Sequence, residues 1–175
     1  MALMDVFSSS DGKRAKRARG TSEVDDMDIL DKLKQEHDEV KELLQKLVDT
    51  GKATERTALV KKIKAALVPH VRAEEKVVYD AVIGQRDTEA KVDGNEGYLE
   101  HKHADMALKK LESIKPASSP QFTAAAKVLK ELVEHHVKEE ESNVWRDVRK
   151  AFASDERIEM NRAFEAAKKK VRVPA

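Results

Sequence analysis

The sequence predicts an all-α protein, an up-and-down antiparallel four-helix bundle with an extra C-terminal helix. Apolar residues recur in alternating steps of three and four along four long segments, which is the spacing of one helix face. Short runs of turn-forming residues separate most of these segments, and short connections favour antiparallel neighbours. Charged residues make up 38% of the 175-residue chain and aromatic residues 4%, a composition typical of long, solvated helices.

Charge and cysteine content exclude several classes of function. The formal net charge is +1, so the molecule as a whole does not complement nucleic acid or an acidic membrane. The chain has no cysteine, which excludes disulfides, thiolate metal sites and cysteine nucleophiles. It also lacks an apolar run of roughly 18 residues and a signal-peptide core, so we expect a cytoplasmic protein without a membrane partner. No nucleophile triad, phosphate-binding glycine loop or dinucleotide motif occurs.

The chain divides into a tail, a bundle and a final helix. Residues 1–25 show no helical periodicity and carry a basic run, so we expect a flexible, solvated tail. The alternative for such a short basic run is a nuclear-import signal or a weak nucleic-acid contact. The bundle is expected over residues 27–152. A C-terminal helix over residues 154–171 should pack on the bundle or extend from it.

Capping residues and helix breakers predict the helix boundaries. The four bundle helices are expected at about 27–49, 54–83, 96–114 and 120–152. The predicted N-caps are Asp25 or Asp26 for the first helix, Thr54 for the second, Ser119 for the fourth and Ser154 for the final helix. Residues 84–96 contain many turn formers and predict a loop. Pro69 lies inside the second helix, where it should cause a kink.

One motif occurs twice in altered form. Leu67 to Tyr79, LVPHVRAEEKVVY, aligns with Val133 to Trp145, VEHHVKEEESNVW. In each copy a histidine is followed four residues later by a glutamate, and residues four apart lie on the same face of a helix. Each copy can therefore offer an imidazole nitrogen and a carboxylate to one point in space. Two such helices facing one another predict a metal site.

Helix faces select the histidines that point inward. His37 lies in the middle of the apolar stripe of the first helix. On the third helix, His101 continues the apolar stripe, whereas the stripe through His103 runs into a lysine. On the fourth helix, alignment with the second favours His136 over His135. The predicted metal-binding residues are His37, His70, Glu74, His101, His136 and Glu140.

These six side chains are expected at one height in the bundle. His37 lies about nine residues after its helix begins and Glu74 about nine before its helix ends, so at about 1.5 Å per residue they meet in an antiparallel pair. Similar reasoning roughly places His101 beside the second His-x-x-x-Glu motif. Because burying two carboxylates without partners is very costly, we expect one or two metal ions to supply positive charge. The alternative is that the histidines are hydrogen-bonded core residues.

This pattern, with EHHVKEEE at residues 134–141, strongly resembles the hemerythrin-like HHE cation-binding domains over about residues 27–150. The resemblance implies a hemerythrin-like bundle that holds a non-heme di-iron centre, two iron ions with an oxo or hydroxo bridge. It also implies that Glu74 and Glu140 bridge the irons and that the four histidines are terminal ligands. Imidazole and carboxylate donors suit iron, with manganese or zinc as substitutes.

The match to the oxygen-carrying hemerythrins is poorer. Those proteins carry a His-x-x-x-His pair on the third helix, whereas here Asp105 follows His101 by four residues. Either Asp105 is an extra ligand or one iron position is left to water. An open position favours reactivity or sensing over oxygen carriage.

The resemblance implies binding of, or reaction with, a small diatomic or peroxide ligand (O2, NO or H2O2) in sensing or in protection against oxidative or nitrosative stress. The alternative is an iron-responsive or metal-stabilised interaction module without turnover, which engages an unidentified protein partner.

Residues beside the motifs also have two interpretations. Glu75, Glu139 and Glu141 are either solvated or accept hydrogen bonds from ligand imidazoles. Tyr79 and Trp145 either pack the bundle or have a redox or gating role.

Overall fold

The computed structural model describes residues 26–174, and every regular element in that range is helical. The predicted tail, residues 1–25, lies outside the described residues. In chain order the elements are α1 (Ile29–Asp49), α2 (Ala53–Glu74), the π-helical turn π1 (Glu75–Tyr79), α3 (Asp80–Ile83), α4 (Thr88–Ser113), α5 (Pro120–Glu139), the π-helical turn π2 (Glu140–Val144), α6 (Trp145–Ala151) and α7 (Ser154–Lys168). Because α2, π1 and α3 are continuous, as are α5, π2 and α6, these elements form five rods.

Four rods form the bundle and the fifth covers part of it. Helix α1 packs against α2 and α5, and α4 packs against α5 and α2, so the rods form a closed ring. This arrangement confirms the predicted all-α bundle. Helix α7 lies across α1 and α2, where it buries Phe164 completely. Within the described part of the chain, no helix is long and apolar enough to cross a membrane.

Most helices begin at other residues than those predicted. The observed N-caps of α1, α2, α5 and α7 are Asp28, Lys52, Ser119 and Ala153, so only Ser119 was predicted correctly. The Asp28 carboxylate accepts a hydrogen bond from the Leu30 N–H at 3.0 Å. The N-cap of α1 therefore lies three or two positions after the predicted caps, and the helix begins at Ile29, its first buried apolar residue. In α7, the Glu156 carboxylate accepts from the Ala153 N–H, so Ser154 is the first helical residue.

The predicted loop at residues 84–96 is correct for residues 84–87 and wrong for the remainder, because α4 already begins at Thr88. The Asp87 carboxylate caps this helix by accepting from the Glu89 N–H at 3.0 Å. Close packing between helices explains at least one of the turn-forming residues in this segment, Gly94. A Cβ atom at Gly94 would lie 2.8 Å from the Ile83 side chain, so glycine allows α4 to approach α3. Close packing outweighs the weak helix propensity of glycine here.

Two apolar clusters fill the bundle, one toward each end. The first contains residues from Val40 to Leu47, Leu59 to Val71, Ala104 to Ala117 and Phe122 to Val137. The second contains buried residues from Ile29 to Leu33, from Ala73 to Val82 and from Val144 to Val148, together with Ala90 and Phe164. Helix α2 runs unbroken through Pro69 between them. The level that separates the clusters is where the predicted polar residues lie.

Candidate metal centre

Six buried polar side chains meet at this level. None of them is more than 7% exposed, and the set consists of His37, His70, Glu74, His101, His136 and Glu140. By contrast, His103 and His135 are exposed, so the predicted choice of inward-facing histidines is correct. The single height that was expected from helix lengths is also observed.

Each glutamate of the set lies between two histidines. Glu74 Oε2 is 3.4 Å from Nε2 of His70 and 3.4 Å from Nε2 of His101. Glu140 Oε2 is 3.4 Å from Nε2 of His136 and 3.4 Å from Nε2 of His37. The two motifs thus contribute equivalent contacts, which gives the centre an approximate two-fold symmetry.

The donor atoms form two overlapping groups that can each hold a cation. One group is His37, His70 and Glu74, and the other is Glu74, His101 and His136, with ligand atoms within 4.8 Å of one another in each. Glu74 belongs to both groups. All four carboxylate oxygens of Glu74 and Glu140 lack a hydrogen-bond partner among the described residues. Since burying such groups unpaired is costly, the donor set fits cations better than a hydrogen-bonded core cluster.

Each histidine of the centre has a glutamate at its outer nitrogen. The distances from Nδ1 to the nearest carboxylate oxygen are 3.2 Å for His37 and Glu141, 3.0 Å for His70 and Glu36, 3.3 Å for His101 and Glu75, and 2.8 Å for His136 and Glu100. Only the contact of His101 is too poorly aligned for a hydrogen bond. A carboxylate at Nδ1 favours an N–H there, which directs the Nε2 lone pair toward the centre. The outer carboxylates therefore favour an orientation of His37, His70 and His136 in which Nε2 faces the centre.

Sequence reasoning identified two of these outer glutamates and missed the other two. Glu141 forms a hydrogen bond with His37, in agreement with the second of the two interpretations. Glu75 lies 3.3 Å from His101 Nδ1 without the alignment of a hydrogen bond, and Glu139 accepts from Asn143 Nδ2 at 3.1 Å. Glu36 and Glu100 were not predicted. A signal was present, because each directly precedes an inward histidine and the chain thus repeats the dipeptide Glu-His.

Contacts between histidines and glutamates shift the pKa values of both partners. Burial raises the pKa of Glu36, but hydrogen bonds to His70 and to Lys168 and Lys32 lower it to about 2. Burial lowers the pKa of His70, but the charge of Glu74 and the hydrogen bond to Glu36 raise it to about 10. Burial is likewise outweighed at His136, where Glu100 and Glu140 raise the pKa to about 10. Without a cation, protons on these imidazoles balance the buried carboxylates.

This proton balance predicts that cations displace protons. A metal ligand must be a neutral imidazole, so loading the metal-free protein at pH 8 should release about two protons per chain, from His70 and His136. The number released should fall as the pH rises through about 10, where both imidazoles are already neutral. A pH indicator in weakly buffered solution measures the release. An exposed-site variant, His135→Ala, should release the same number, and release of no protons at pH 8 would contradict the prediction.

The π-helical turns explain which residues follow the glutamates inward. The spacing of a regular α-helix would continue the inward face from Glu74 to Val77 and Ala81, but Val78 and Tyr79 are the buried residues. Because a π-helical turn closes over five residues instead of four, it shifts the inward face by one position. A π-helical turn also occurs in the second motif, at Glu140–Val144. The first turn begins directly after the donor Glu74, and the second begins at the donor Glu140.

Tyr79 and Trp145 occupy equivalent places but make different contacts. Tyr79 Oη lies 3.3 Å from His101 Nε2 and 3.5 Å from His136 Nε2. Burial, together with the charges of Glu140 and Glu74, raises the pKa of Tyr79 well above its ordinary value. Trp145 instead stacks on His37, with ring centroids 6.1 Å apart and planes inclined by 15°. The two halves of the centre therefore differ in the polarity of their aromatic neighbour.

Tyr79 can occupy its place only because residue 97 has no side chain. A Cβ atom at Gly97 would lie 2.6 Å from Tyr79 Cζ, and the tyrosine is completely buried. We expect Gly97→Ala to lower the free energy of unfolding by about 1–2 kcal/mol, because overpacking outweighs the gain of about 1 kcal/mol in helix propensity. Urea unfolding measures the change. Gly51→Ala is the control, since a Cβ atom at Gly51 would meet no other atom within 4 Å and stability should stay unchanged.

Asp105 forms a salt bridge with Arg72, which also contacts Glu75 at 2.8 Å. It belongs to neither donor group within residues 26–174. The Asp105 carboxylate, which was considered as an extra ligand, is therefore paired with the guanidinium of Arg72.

A small cavity lies beside the four imidazoles. Its volume is about 10 Å³, comparable to the space that one water-sized molecule needs. The remaining wall consists of aliphatic side chains, namely Val40, Leu67, Val71, Ala104, Val133 and Val137. The centre is thus polar toward the glutamates and apolar toward this cavity.

The helical bundle buries imidazoles and carboxylates at one level and has no thiolate. This arrangement is typical of helical proteins that bind cations. The chain belongs to the hemerythrin family: the family model described as hemerythrin HHE cation-binding domain matches residues 28–146. The match covers all six candidate donors.

The chain is also similar to a curated protein of a different description. A DNA nickase from Nostoc sp. (strain PCC 7120 / SAG 25.82 / UTEX 2576) is 27% identical to it over 172 residues. The aligned region is 97% of this chain and 47% of the nickase, so the chain spans about half the length of this relative. No solved structure gives a significant match.

Proposed function

We propose that the protein binds two iron ions and uses them to bind or react with a small diatomic or peroxide ligand, in sensing or in protection against oxidative or nitrosative stress. The observation that carries the proposal is the pair of overlapping donor groups that share Glu74. His37 and His70 would hold one iron, and His101 and His136 the other. Glu140, which contacts a histidine of each pair, would join Glu74 between them.

The small cavity beside the imidazoles supports the proposal that the ligand is small and of low polarity. It places apolar walls against the four imidazoles, and its volume of about 10 Å³ admits only the smallest molecules. Two bound irons would supply Lewis acidity and exchangeable electrons to such a ligand. The valines and leucine of the wall would exclude bulk water, which strengthens electrostatic interactions near the centre.

Other side chains of the protein would orient the donors and manage protons. The outer glutamates hold each imidazole with Nε2 directed inward. Tyr79 keeps its proton near neutral pH because its pKa is raised, so its hydroxyl can donate a hydrogen bond at the side of His101 and His136. Trp145 stacks on His37, and its indole N–H forms no hydrogen bond with the described residues.

Elemental analysis combined with optical spectroscopy tests the proposal. Freshly purified protein should contain close to two irons per chain, absorb in the near ultraviolet, and change its spectrum on reduction, on exposure to air and on addition of nitric oxide. One spectroscopically silent zinc per chain would contradict the di-iron proposal. Two irons with no spectral response to oxygen, peroxide or nitric oxide would contradict the small-ligand proposal and favour a metal-stabilised interaction module instead.

A second candidate is metal-dependent DNA nicking, which the similarity to the DNA nickase favours. Two-metal centres do catalyse phosphodiester cleavage in other proteins. Against this candidate, the six donors are at most 7% exposed, so a phosphate of duplex DNA cannot reach them in this structure. Conversion of supercoiled to open-circular plasmid by the iron- or manganese-loaded protein, abolished by Glu74→Ala, would establish it. No conversion leaves the small-ligand function.

A further inference from the structure

A narrow crevice leads from the surface to one side of the centre. It lies between α4 and the rod of α5 and π2, has a volume of about 10 Å³, and ends at Tyr79, His136 and Glu140. Four further acidic residues line it, namely Asp93, Glu96, Glu100 and Glu139. Its lining is therefore much more acidic than that of the apolar cavity beside the imidazoles.

The inner end of the crevice carries an independent sign of a cation. Glu140 is 2% exposed, and neither of its carboxylate oxygens has a hydrogen-bond partner among the described residues. An acidic surface patch leads here to a buried carboxylate that has no hydrogen-bond partner among the described residues. Such an arrangement attracts a cation at the surface and stabilises it more strongly inside.

The approximate two-fold symmetry provides an internal comparison. When His37 is aligned with His101, Lys32 takes the place of Glu96 and Leu33 that of Gly97. When His70 is aligned with His136, Ala73 takes the place of Glu139. The equivalent face between α1 and α2 thus lacks both the acidic residues at the surface and the glycine.

Helix α7 also covers that equivalent face. Phe164 packs edge-on against His70, with ring centroids 5.8 Å apart, and Lys168 forms a salt bridge with Glu36. The groove beside α7 is lined by Glu36, Glu39 and Glu165 as well as by Lys168 and Lys169, but by none of the six donors. Of these two openings in the described part of the chain, the crevice between α4 and α5 is the one that reaches a donor.

Positive groups neutralise part of the crevice but not its mouth. Arg146 contacts Asp93 at 3.1 Å, and the exposed His135 lies 3.5 Å from Glu100. Glu96 is exposed and has no salt bridge within residues 26–174. The Glu139 carboxylate accepts a hydrogen bond from the neutral amide of Asn143. Among the described residues, neither Glu96 nor Glu139 forms a salt bridge that would offset its attraction for a cation.

We propose that this crevice is the route by which divalent cations reach the centre. Glu96 and Glu139 would attract the hydrated cation at the surface, and Glu100 and Asn143 would replace part of its water. Glu140 would receive the cation at the inner end. The proposal rests on the metal centre proposed above, and it assigns a role to acidic residues that are not members of the donor set.

The test is the rate at which metal-free full-length protein takes up cobalt(II), followed by its visible absorption in a stopped-flow instrument. Glu96→Gln/Glu139→Gln should load about tenfold more slowly at low salt, and its rate should depend less on ionic strength. The final cobalt content should equal that of the wild type. Glu96→Lys, which copies the residue of the covered face, should load more slowly than Glu96→Gln.

The matched control is Glu112→Gln/Glu131→Gln, which removes the same charge from the same two helices outside the crevice. It should load at the wild-type rate. Equal rates for the two double variants, or a lower final cobalt content in Glu96→Gln/Glu139→Gln, would overturn the proposed route while leaving the metal centre intact. Failure of the wild type to bind cobalt would overturn the route and the metal centre together.

Discussion

Glu74→Ala is expected to abolish binding at both cation positions. Glu74 belongs to both donor groups, and its Oε2 atom lies 3.4 Å from Nε2 of His70 and of His101. Loss of an outer-sphere partner typically weakens a metal site by 10–100-fold, so loss of a shared ligand should exceed about 100-fold. Metal content after dialysis against a weak chelator, measured by elemental analysis, checks this. The variant should stay helical, since it removes a buried charge rather than packing.

A neighbouring pair of histidines provides the matched control for that experiment. His136 is buried at the centre, whereas His135 is exposed. His136→Ala should lose most of the metal and His135→Ala should retain it, although both variants remove one imidazole from the same turn of α5. The corresponding pair is Glu140→Ala, which should lose metal, and Glu139→Ala, which should keep its final content. Reversal of either pair would show that the centre is built on the other face of this helix.

Removing the metal should lower the melting temperature by roughly 10 °C. Donors from four rods converge only in the folded chain, so a cation at 1,000 times its dissociation constant contributes about 4 kcal/mol to folding. For a chain of this size, each kcal/mol corresponds to about 2–4 °C. Calorimetric scans with and without a strong chelator measure the shift.

Glu74→Ala serves as the control for the thermal experiment as well. Because it cannot hold the cations, its melting temperature should not respond to the chelator. A wild-type melting temperature that is also insensitive to chelation would contradict the prediction. The bundle would then be stabilised by its two apolar clusters alone.

Periodicity predicted the bundle and the inward face of each motif, because the stripes run through whole helices. Periodicity distinguished His101 from His103, and alignment of the two motifs distinguished His136 from His135; the burial of both chosen histidines agrees. The role of the six residues as ligands stays a prediction. Local composition was a poorer predictor of secondary structure where close packing between helices determines which residue is needed. The segment around Gly94 has the composition of a loop, yet it is helical because glycine admits Ile83.

Two features of the site depend on three-dimensional contacts that one helix face does not reveal. The π-helical turn after Glu74 moves the buried residues from Val77 to Val78 and Tyr79, because it adds a residue to the turn. Glu36 and Glu100 lie beside the inward stripe, where they reach a histidine on the adjacent rod. Their role follows from how the rods are paired.

The contacts of His37 have a consequence for the order of assembly during synthesis. His37 lies 3.2 Å from Glu141, a residue 104 positions later in the chain, and 3.4 Å from Glu140. While the ribosome has delivered only the first two rods, half of the donors do not yet exist. The nascent chain at that stage carries one of the two donor groups, His37, His70 and Glu74, but lacks the other. The complete set of six donors exists only after the fourth rod has been synthesised, and a chain truncated before Glu140 would lack the second carboxylate of the centre.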